Sequence, residues 1–241
     1  MKKLMGLVLT GMLVLTINVN AAEESTDHTF DVSPGDFVSV KNINGYIEVV
    51  SWDRDQVEVV ATKKAKGRNA SDKLESIDIE MSQDGDRIVI ETIRRQKRNN
   101  VSVYYELRVP EEMNLNLKTT NGKITVQGVA GELEVRTTNG SLVLEEIGGN
   151  LQASTTNGSI RAEMTQHNGG EIRCKTTNGS IRLDLPDNVA GELSAKVTNG
   201  SIKSGIDVEG AQRGKRSLNG DLNGGGAPIT LKTTNGSIRI D

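Results

Sequence analysis

Thr176-Thr177-Asn178-Gly179-Ser180-Ile181 occurs three times in this sequence, with the other copies at 155–160 and 233–238. Near copies begin at Thr119, Thr137 and Val197, and weaker echoes are Ile43-Asn44-Gly45-Tyr46-Ile47 and Leu218-Asn219-Gly220-Asp221-Leu222. Between Asn121, Asn139, Asn157, Asn178, Asn199, Asn219 and Asn235 the steps are 18, 18, 21, 21, 20 and 16 residues. A period of that length is typical of stacked-coil architectures. Asn-Gly favours tight turns, because glycine lacks a Cβ and the asparagine amide bonds locally. The pairs Asn121-Gly122, Asn139-Gly140, Asn157-Gly158, Asn178-Gly179, Asn199-Gly200 and Asn235-Gly236 are therefore the structural turns, and Gly179 is expected to adopt a positive φ.

Strands flank these turns. Before the turn Leu133, Val135 and Thr137 alternate with Glu134, Arg136 and Thr138, and after it Leu142 and Leu144 alternate with Ser141 and Val143. Alternation with a period of two marks a strand with one buried face. Asn-Gly is also a strong hairpin signal, so an antiparallel β meander is the alternative. Identity between copies favours stacking, which sets equivalent residues above one another, whereas a meander asks each turn to work only locally. The expected fold is all-β, a single-chain β-solenoid of about seven coils, β-helix-like, over residues 111–241, behind an N-terminal β cap region with a first coil over 22–110.

The chain has 241 residues, of which 35% are hydrophobic and 2% aromatic. A narrow solenoid interior takes small and branched aliphatics rather than large rings. Lys2 and Lys3, the apolar run from Leu4 to Ile17 and the small-residue site Val19-Asn20-Ala21 read as a signal peptide over 1–21. The run is shorter than the roughly 20 residues needed to span a bilayer, so the expectation is export to the periplasm or the extracellular surface. With 29 basic and 32 acidic residues the chain gives no general case for nucleic acid as a partner.

Residues 23–29 are polar and read as loose. Strand-like runs at 57–62, 77–81, 87–93 and 101–109, with a hairpin at Asp84-Gly85-Asp86, form the expected cap. The degenerate repeat at 210–226, carrying Arg213, Lys215 and Arg216 where apolar residues are expected, reads as a bulge or loop. The chain then ends in a regular coil at 229–240, expected to be exposed and to offer an end-to-end self-association surface. Cys174, the one cysteine, shares the inward position of Leu117, Val135, Ala153 and Ala195 and reads as a buried small hydrophobe.

From Phe37 to Asp241 the repeated turns resemble the bacterial extracytoplasmic β-strand-repeat family called "putative adhesin", a family of unknown function. The resemblance implies an envelope location and a β-solenoid, and it supplies no catalytic residues.

Chemistry for catalysis is sparse. His28 and His167 are the only histidines, and neither has a nucleophile or metal-ligand partner at useful spacing. Asp184, Asp187 and Arg182 are the nearest match to the carboxylate and basic sets of polysaccharide lyases or hydrolases on β-helix scaffolds, which is the alternative function. The Asn-x-Ser pattern at Asn139, Asn157, Asn178, Asn199 and Asn235 follows from turn chemistry rather than from glycosylation. No catalytic residue, cofactor or metal is expected.

The most suggestive surface is cationic. Lys118, Arg136, Lys175, Lys196 and Lys232 hold one outward position before the turn, and Arg161, Arg182, Lys203 and Arg239 hold one after it. Stacking would align them as two stripes able to meet a repeating anion, such as an acidic glycan or lipopolysaccharide, or an envelope protein. The basic loops Lys63-Lys64-Ala65-Lys66 and Arg94-Arg95-Gln96-Lys97-Arg98 would add to them. The expected function is that of a non-enzymatic, adhesin-like binding or scaffold protein of the cell envelope.

Overall fold

Each Thr-Thr-Asn-Gly corner joins two short strands that lie in different sheets. A computed structural model describes residues 14–18, 21–95, 100–165 and 169–241. The N-terminal region comprises β1 (Val14–Asn18), β2 (Ala21–Asp31), β3 (Phe37–Lys41), β4 (Ile47–Trp52), β5 (Gln56–Lys66), a helical turn α1 (Ala70–Leu74), β6 (Ile77–Asp84), β7 (Arg87–Arg94) and β8 (Val101–Pro110). The repeats then supply β9 (Asn114–Asn121), β10 (Ile124–Gln127), β11 (Leu133–Asn139), β12 (Leu142–Ile147), β13 (Leu151–Asn157), β14 (Ile160–Met164), β15 (Ile172–Asn178), β16 (Ile181–Asp184), β17 (Gly191–Asn199) and β18 (Ile202–Ser204). The chain closes with β19 (Glu209–Arg213), β20 (Ser217–Leu222), β21 (Pro228–Asn235) and β22 (Ile238–Ile240).

Two 11-stranded sheets result, sheet A in the order β1-β2-β5-β8-β4-β10-β12-β14-β16-β22-β18 and sheet B in the order β19-β20-β17-β21-β15-β13-β11-β9-β3-β7-β6. Strands of successive coils pair in parallel and in register, with Asn139 opposite both Asn121 and Asn157. A meander would pair them antiparallel, so the solenoid is the fold. Inward residues from both sheets merge into one continuous apolar core that runs from Ala22 to Ile240.

The corners are held by two ladders. Asparagine amides form a chain in which Nδ2 of Asn121, Asn139, Asn157 and Asn178 each donates to Oδ1 of the preceding asparagine at 2.7 to 2.8 Å. Inside them, the first threonine of each corner is buried and donates its hydroxyl to the previous coil's glycine carbonyl: Thr137 to Gly122, Thr155 to Gly140, Thr176 to Gly158 and Thr233 to Gly179, at 2.8 to 3.1 Å. A buried hydroxyl is tolerated because it is paired.

Gly45, Gly200 and Gly236 have the positive φ expected of such corners, but at Gly179 glycine is required for another reason. Gly179 does not have a φ in the left-handed region; a Cβ on it would instead lie 1.9 Å from the carbonyl oxygen of Gly158. The corner is a bend between two sheets, not a hairpin turn, and close stacking of backbones leaves no room for a side chain.

The coils do not stack in chain order. The asparagine ladder passes from Asn178 to Asn235 and only then to Asn199, so β21 and β22 insert between β15/β16 and β17/β18. The coil at 229–240, expected to be exposed, is covered on both faces. Lys175-Thr176-Thr177-Asn178-Gly179-Ser180-Ile181-Arg182 and the identical 232–239 stack directly on one another. Among the described residues seven coils stand, with Asn44 rather than Asn219 as the seventh corner.

Both ends of sheet B carry antiparallel strands. The degenerate repeat does carry an irregularity, a register shift between Glu209 and Gln212, but it is built as a hairpin: β19 and β20 pair antiparallel, and β20 pairs antiparallel with β17. Leu218 and Leu222 point into the core, whereas Arg213, Lys215 and Arg216 are exposed. At the other end β6 and β7 form a hairpin on β3, while β5, β2 and β1 extend sheet A antiparallel beyond β8. A buried network ties this cap to the first coil. Asn42 takes the place of the repeat threonine and donates to the Val103 carbonyl at 2.7 Å, while Thr92 bridges Asn42 and the Tyr105 hydroxyl at 3.1 and 2.7 Å.

Two further expectations are corrected. Residues 23–29 are not loose but lie in β2, paired with β5 along its length. Lys63 and Lys64 belong to that strand, not to a basic loop, and pair with Glu24 and Glu23 at 2.9 and 3.1 Å. Gln96, Lys97 and Arg98 lie outside the described residues.

Candidate functional site

On sheet B the residue after each inward Leu117, Val135, Ala153, Cys174, Leu231 or Ala195 faces solvent, because strand side chains alternate. The in-register pairing then sets these residues in one row: Lys41, Lys118, Arg136, Ser154, Lys175, Lys232, Lys196. Adjacent members are one strand spacing apart, about 4.8 Å. All five basic residues expected here are brought together, in spatial rather than chain order. Lys41 was missed, although it stands before Asn44 at the same offset as Lys118 before Asn121.

The row is cationic without being uniformly compensated. Arg136 pairs with Glu134 on its own strand, and Lys41 lies 3.9 Å from Glu91. Among the described residues no ion pair engages Lys118, Lys175, Lys232 or Lys196. Where the short Ser154 interrupts the row, an open depression of about 290 Å³ forms, floored by Ser154 and Gln152 and walled by Arg136, Arg173 and Lys175. Sequence reasoning also missed Arg173, because its position carries no basic residue in other coils.

The second stripe is assembled on sheet A as Arg161, Arg182, Arg239, Lys203. It differs electrostatically. Arg182 bonds Asp184 at 2.9 Å and Asp241 at 3.1 Å, and Arg239 also bonds Asp241. The Arg239 hydrogen bond holds the Asp241 carboxyl below its usual range, and the same bond raises the Arg239 guanidinium. Half of this row is therefore neutralised in place.

The candidates for catalysis are not assembled. Asp184 is held by Arg182, and Asp187 lies exposed in the turn after β16. Among the described residues no group of three or more His, Cys, Asp or Glu is placed to hold a metal ion. His28 packs against Phe30 with ring centroids 4.4 Å apart, and His167 lies outside the described residues. Cys174 is wholly buried, and burial pushes its thiol up to about 12, which leaves it neutral at ordinary pH. No helix among the described residues is long and apolar enough to cross a membrane.

Comparison with known proteins returns one family, Toastrack DUF4097, whose profile matches residues 16–241. Among solved structures, a "putative cell adhesion protein" from Clostridium sporogenes ATCC 15579 is 12% identical, with 90% of this chain and 98% of that one covered and a TM-score of 0.48. A "putative adhesin" from Bacteroides fragilis NCTC 9343 is 12% identical over 90% of this chain and 97% of its own, with a TM-score of 0.36. A "putative lipid binding protein" from Parabacteroides distasonis ATCC 8503 is 12% identical over 90% and 96%, with a TM-score of 0.28. No curated protein matches the chain.

Proposed function

This chain belongs to the Toastrack DUF4097 family, and we propose that it is an exported, non-enzymatic, adhesin-like binding or scaffold protein of the cell envelope whose sheet B row holds repeating anionic groups of an acidic glycan or lipopolysaccharide. The observation that carries this reading is the row itself: Lys118, Lys175, Lys232 and Lys196 on one rigid face, with no ion pair engaging them among the described residues. Rigid strand spacing sets several cations against a repeating anion without any rearrangement of the backbone, so that only the lysine side chains have to be ordered. Single contacts there are weak, since exposed charges are screened over about 8 Å at physiological ionic strength, so affinity comes from number. In this reading the leader is removed at Ala21, and β1 is lost with it.

Isothermal titration of an acidic polysaccharide at two salt concentrations tests the reading. Lys175→Gln/Lys232→Gln/Lys196→Gln should fold normally and lose the salt-sensitive binding. Arg182→Gln, on the compensated row, should bind nearly as the parent does. Equal binding by the triple variant and the parent would leave the row a solvated face. New reducing ends or unsaturated products from the same polysaccharide, with or without calcium, would replace binding with a lyase or hydrolase.

A further inference from the structure

The six aromatic residues, Phe30, Phe37, Tyr46, Trp52, Tyr104 and Tyr105, all precede the regular repeats. Three of them share the outer face of sheet A. The outward residues are Tyr46, just before β4, and Glu48, Val50 and Trp52 along it; on β8 beside it they are Tyr104, Glu106 and Arg108, with Glu48 opposite Glu106 and Val50 opposite Arg108. An open depression of about 410 Å³ lies along these strands, lined by Glu48, Val50, Glu58, Val60, Glu106 and Arg108, with Arg108 paired to Glu58 at 3.4 Å.

Two features of this groove do nothing for stability. Glu48 and Glu106 stand directly opposite on neighbouring strands, and like charges so placed are destabilising. Glu106 accepts from the Tyr46 hydroxyl at 2.6 Å, which leaves the second carboxylate uncompensated. Val50, 37% exposed, is the one large hydrophobic side chain left in solvent among the described residues. The aromatic ends are held in place. Tyr46 and Tyr104 lie tilted against each other with ring centroids 4.7 Å apart, and the Trp52 indole donates to the Gln56 carbonyl at 2.7 Å. The side chains of Arg54 and Lys64, which a ligand ring would displace, lie over Trp52 and Tyr104 at 4.8 and 5.5 Å.

We propose that this groove binds a short chain of amino sugars. Pyranose rings lay C–H faces on tyrosine and tryptophan while their hydroxyl groups donate to carboxylates, and the Glu48/Glu106 pair is placed to receive a ring ammonium group in a charge-assisted bond. From Tyr46 to Trp52 the strand runs about 20 Å at the usual rise per residue, room for an oligosaccharide rather than a single sugar. The site is on the opposite sheet from the basic row, has the opposite charge, and stands independently of the function proposed above.

Trp52 is the only tryptophan, so its emission reports on its own end of the β4 face. Titrating a glucosamine tetramer into the full chain should give a saturable change in Trp52 fluorescence. Glu48→Gln/Glu106→Gln should weaken binding about tenfold or more, the loss expected when a charge-assisted contact goes. That variant should melt no lower than the parent, because a repulsive pair has been removed. The Lys175→Gln/Lys232→Gln/Lys196→Gln variant should bind the tetramer as the parent does, which separates this site from the basic row. No saturable response, parent-like binding by the double glutamine variant, or equally tight binding of spermine, which has the charge without the rings, would each overturn the proposal.

Discussion

Thr176 and Gly179 both press on one oxygen of the coil before them: the Thr176 hydroxyl donates to the Gly158 carbonyl at 2.8 Å, and a Cβ on Gly179 would lie 1.9 Å from that same oxygen. One carbonyl therefore dictates two letters of the repeat, a hydroxyl that reaches it and a residue bare enough to pass over it.

Gly179→Ala should destabilise by about 3 kcal/mol, the upper end of what overpacking costs, because the clash is with the backbone of Gly158 and Ser159, which cannot swing aside as a side chain would. Gly85→Ala, at a φ of +59 with nothing within 4 Å of the added Cβ, should cost only about 1 kcal/mol from strain. Urea denaturation of both variants measures the difference, and equal losses would contradict a purely steric role at Gly179.

Thr155→Val should cost about 1 to 2 kcal/mol, since it takes the side-chain donor from the part-buried carbonyl of Gly140. The reverse change is available within the same protein. Val197 stands over the Gly236 corner in the last coil, where other coils carry threonine. Val197→Thr should leave stability unchanged or raise it by up to about 1 kcal/mol. A drop in the unfolding midpoint for Val197→Thr would show that the ladder ends before that coil.

Asn-Gly pairs ordinarily lose ammonia when the glycine nitrogen attacks the asparagine side-chain carbonyl carbon. In the ladder that nitrogen is engaged: Gly140, Gly158 and Gly179 donate to the carbonyls of Asn157, Asn178 and Asn235 at 2.9 to 3.0 Å. Gly200, in the last coil, has no such acceptor among the described residues. Peptide mapping after incubation at mildly alkaline pH should therefore find isoaspartate at Asn199 well before Asn139, Asn157 or Asn178.

Alkaline pH should unfold the protein through its buried acids. Burial pushes the Cys174 thiol from 9.0 up to about 12 and the Tyr105 hydroxyl from 10.0 up to about 12. Both pKa values are raised on folding, so the stabilisation is complete below the unfolded values and is lost as pH climbs from about 9 towards 12. Within that window each group contributes a slope of about 1.4 kcal/mol per pH unit. Cys174→Ala, which copies Ala153 in the neighbouring coil, should remove the thiol's share of the slope in urea midpoints measured across this range. Folded parent protein should also resist a thiol reagent at neutral pH.

The repeat, its strand phase and its inward residues were legible in the sequence because each is a local property. Alternation about Asn178 assigns Cys174 to the core, and the offset from each asparagine places Lys118, Arg136, Lys175, Lys196 and Lys232 on one outer face. Parallel register converts those offsets into rows. Charge compensation was not legible, because it depends on neighbours across strands: Arg182 reaches Asp241 only because β22 lies beside β16.

By itself the sequence determined that the chain coils, where the corners fall and which side chains face in, because a threonine, an asparagine and a glycine at fixed offsets can each be satisfied only by an equivalent residue one coil away. The order of coils was decided by the tertiary structure. Every corner offers the same asparagine amide and bare glycine carbonyl, so local chemistry lets 233–239 dock on 176–182 or on 197–203, and it does both. The hairpin of β19 and β20 occupies the far edge of β17. The coil at 229–240 lies between β15/β16 and β17/β18, and the edge of sheet B beyond β17 is closed by the segment that looked least like a repeat, while β18 stays the edge strand of sheet A.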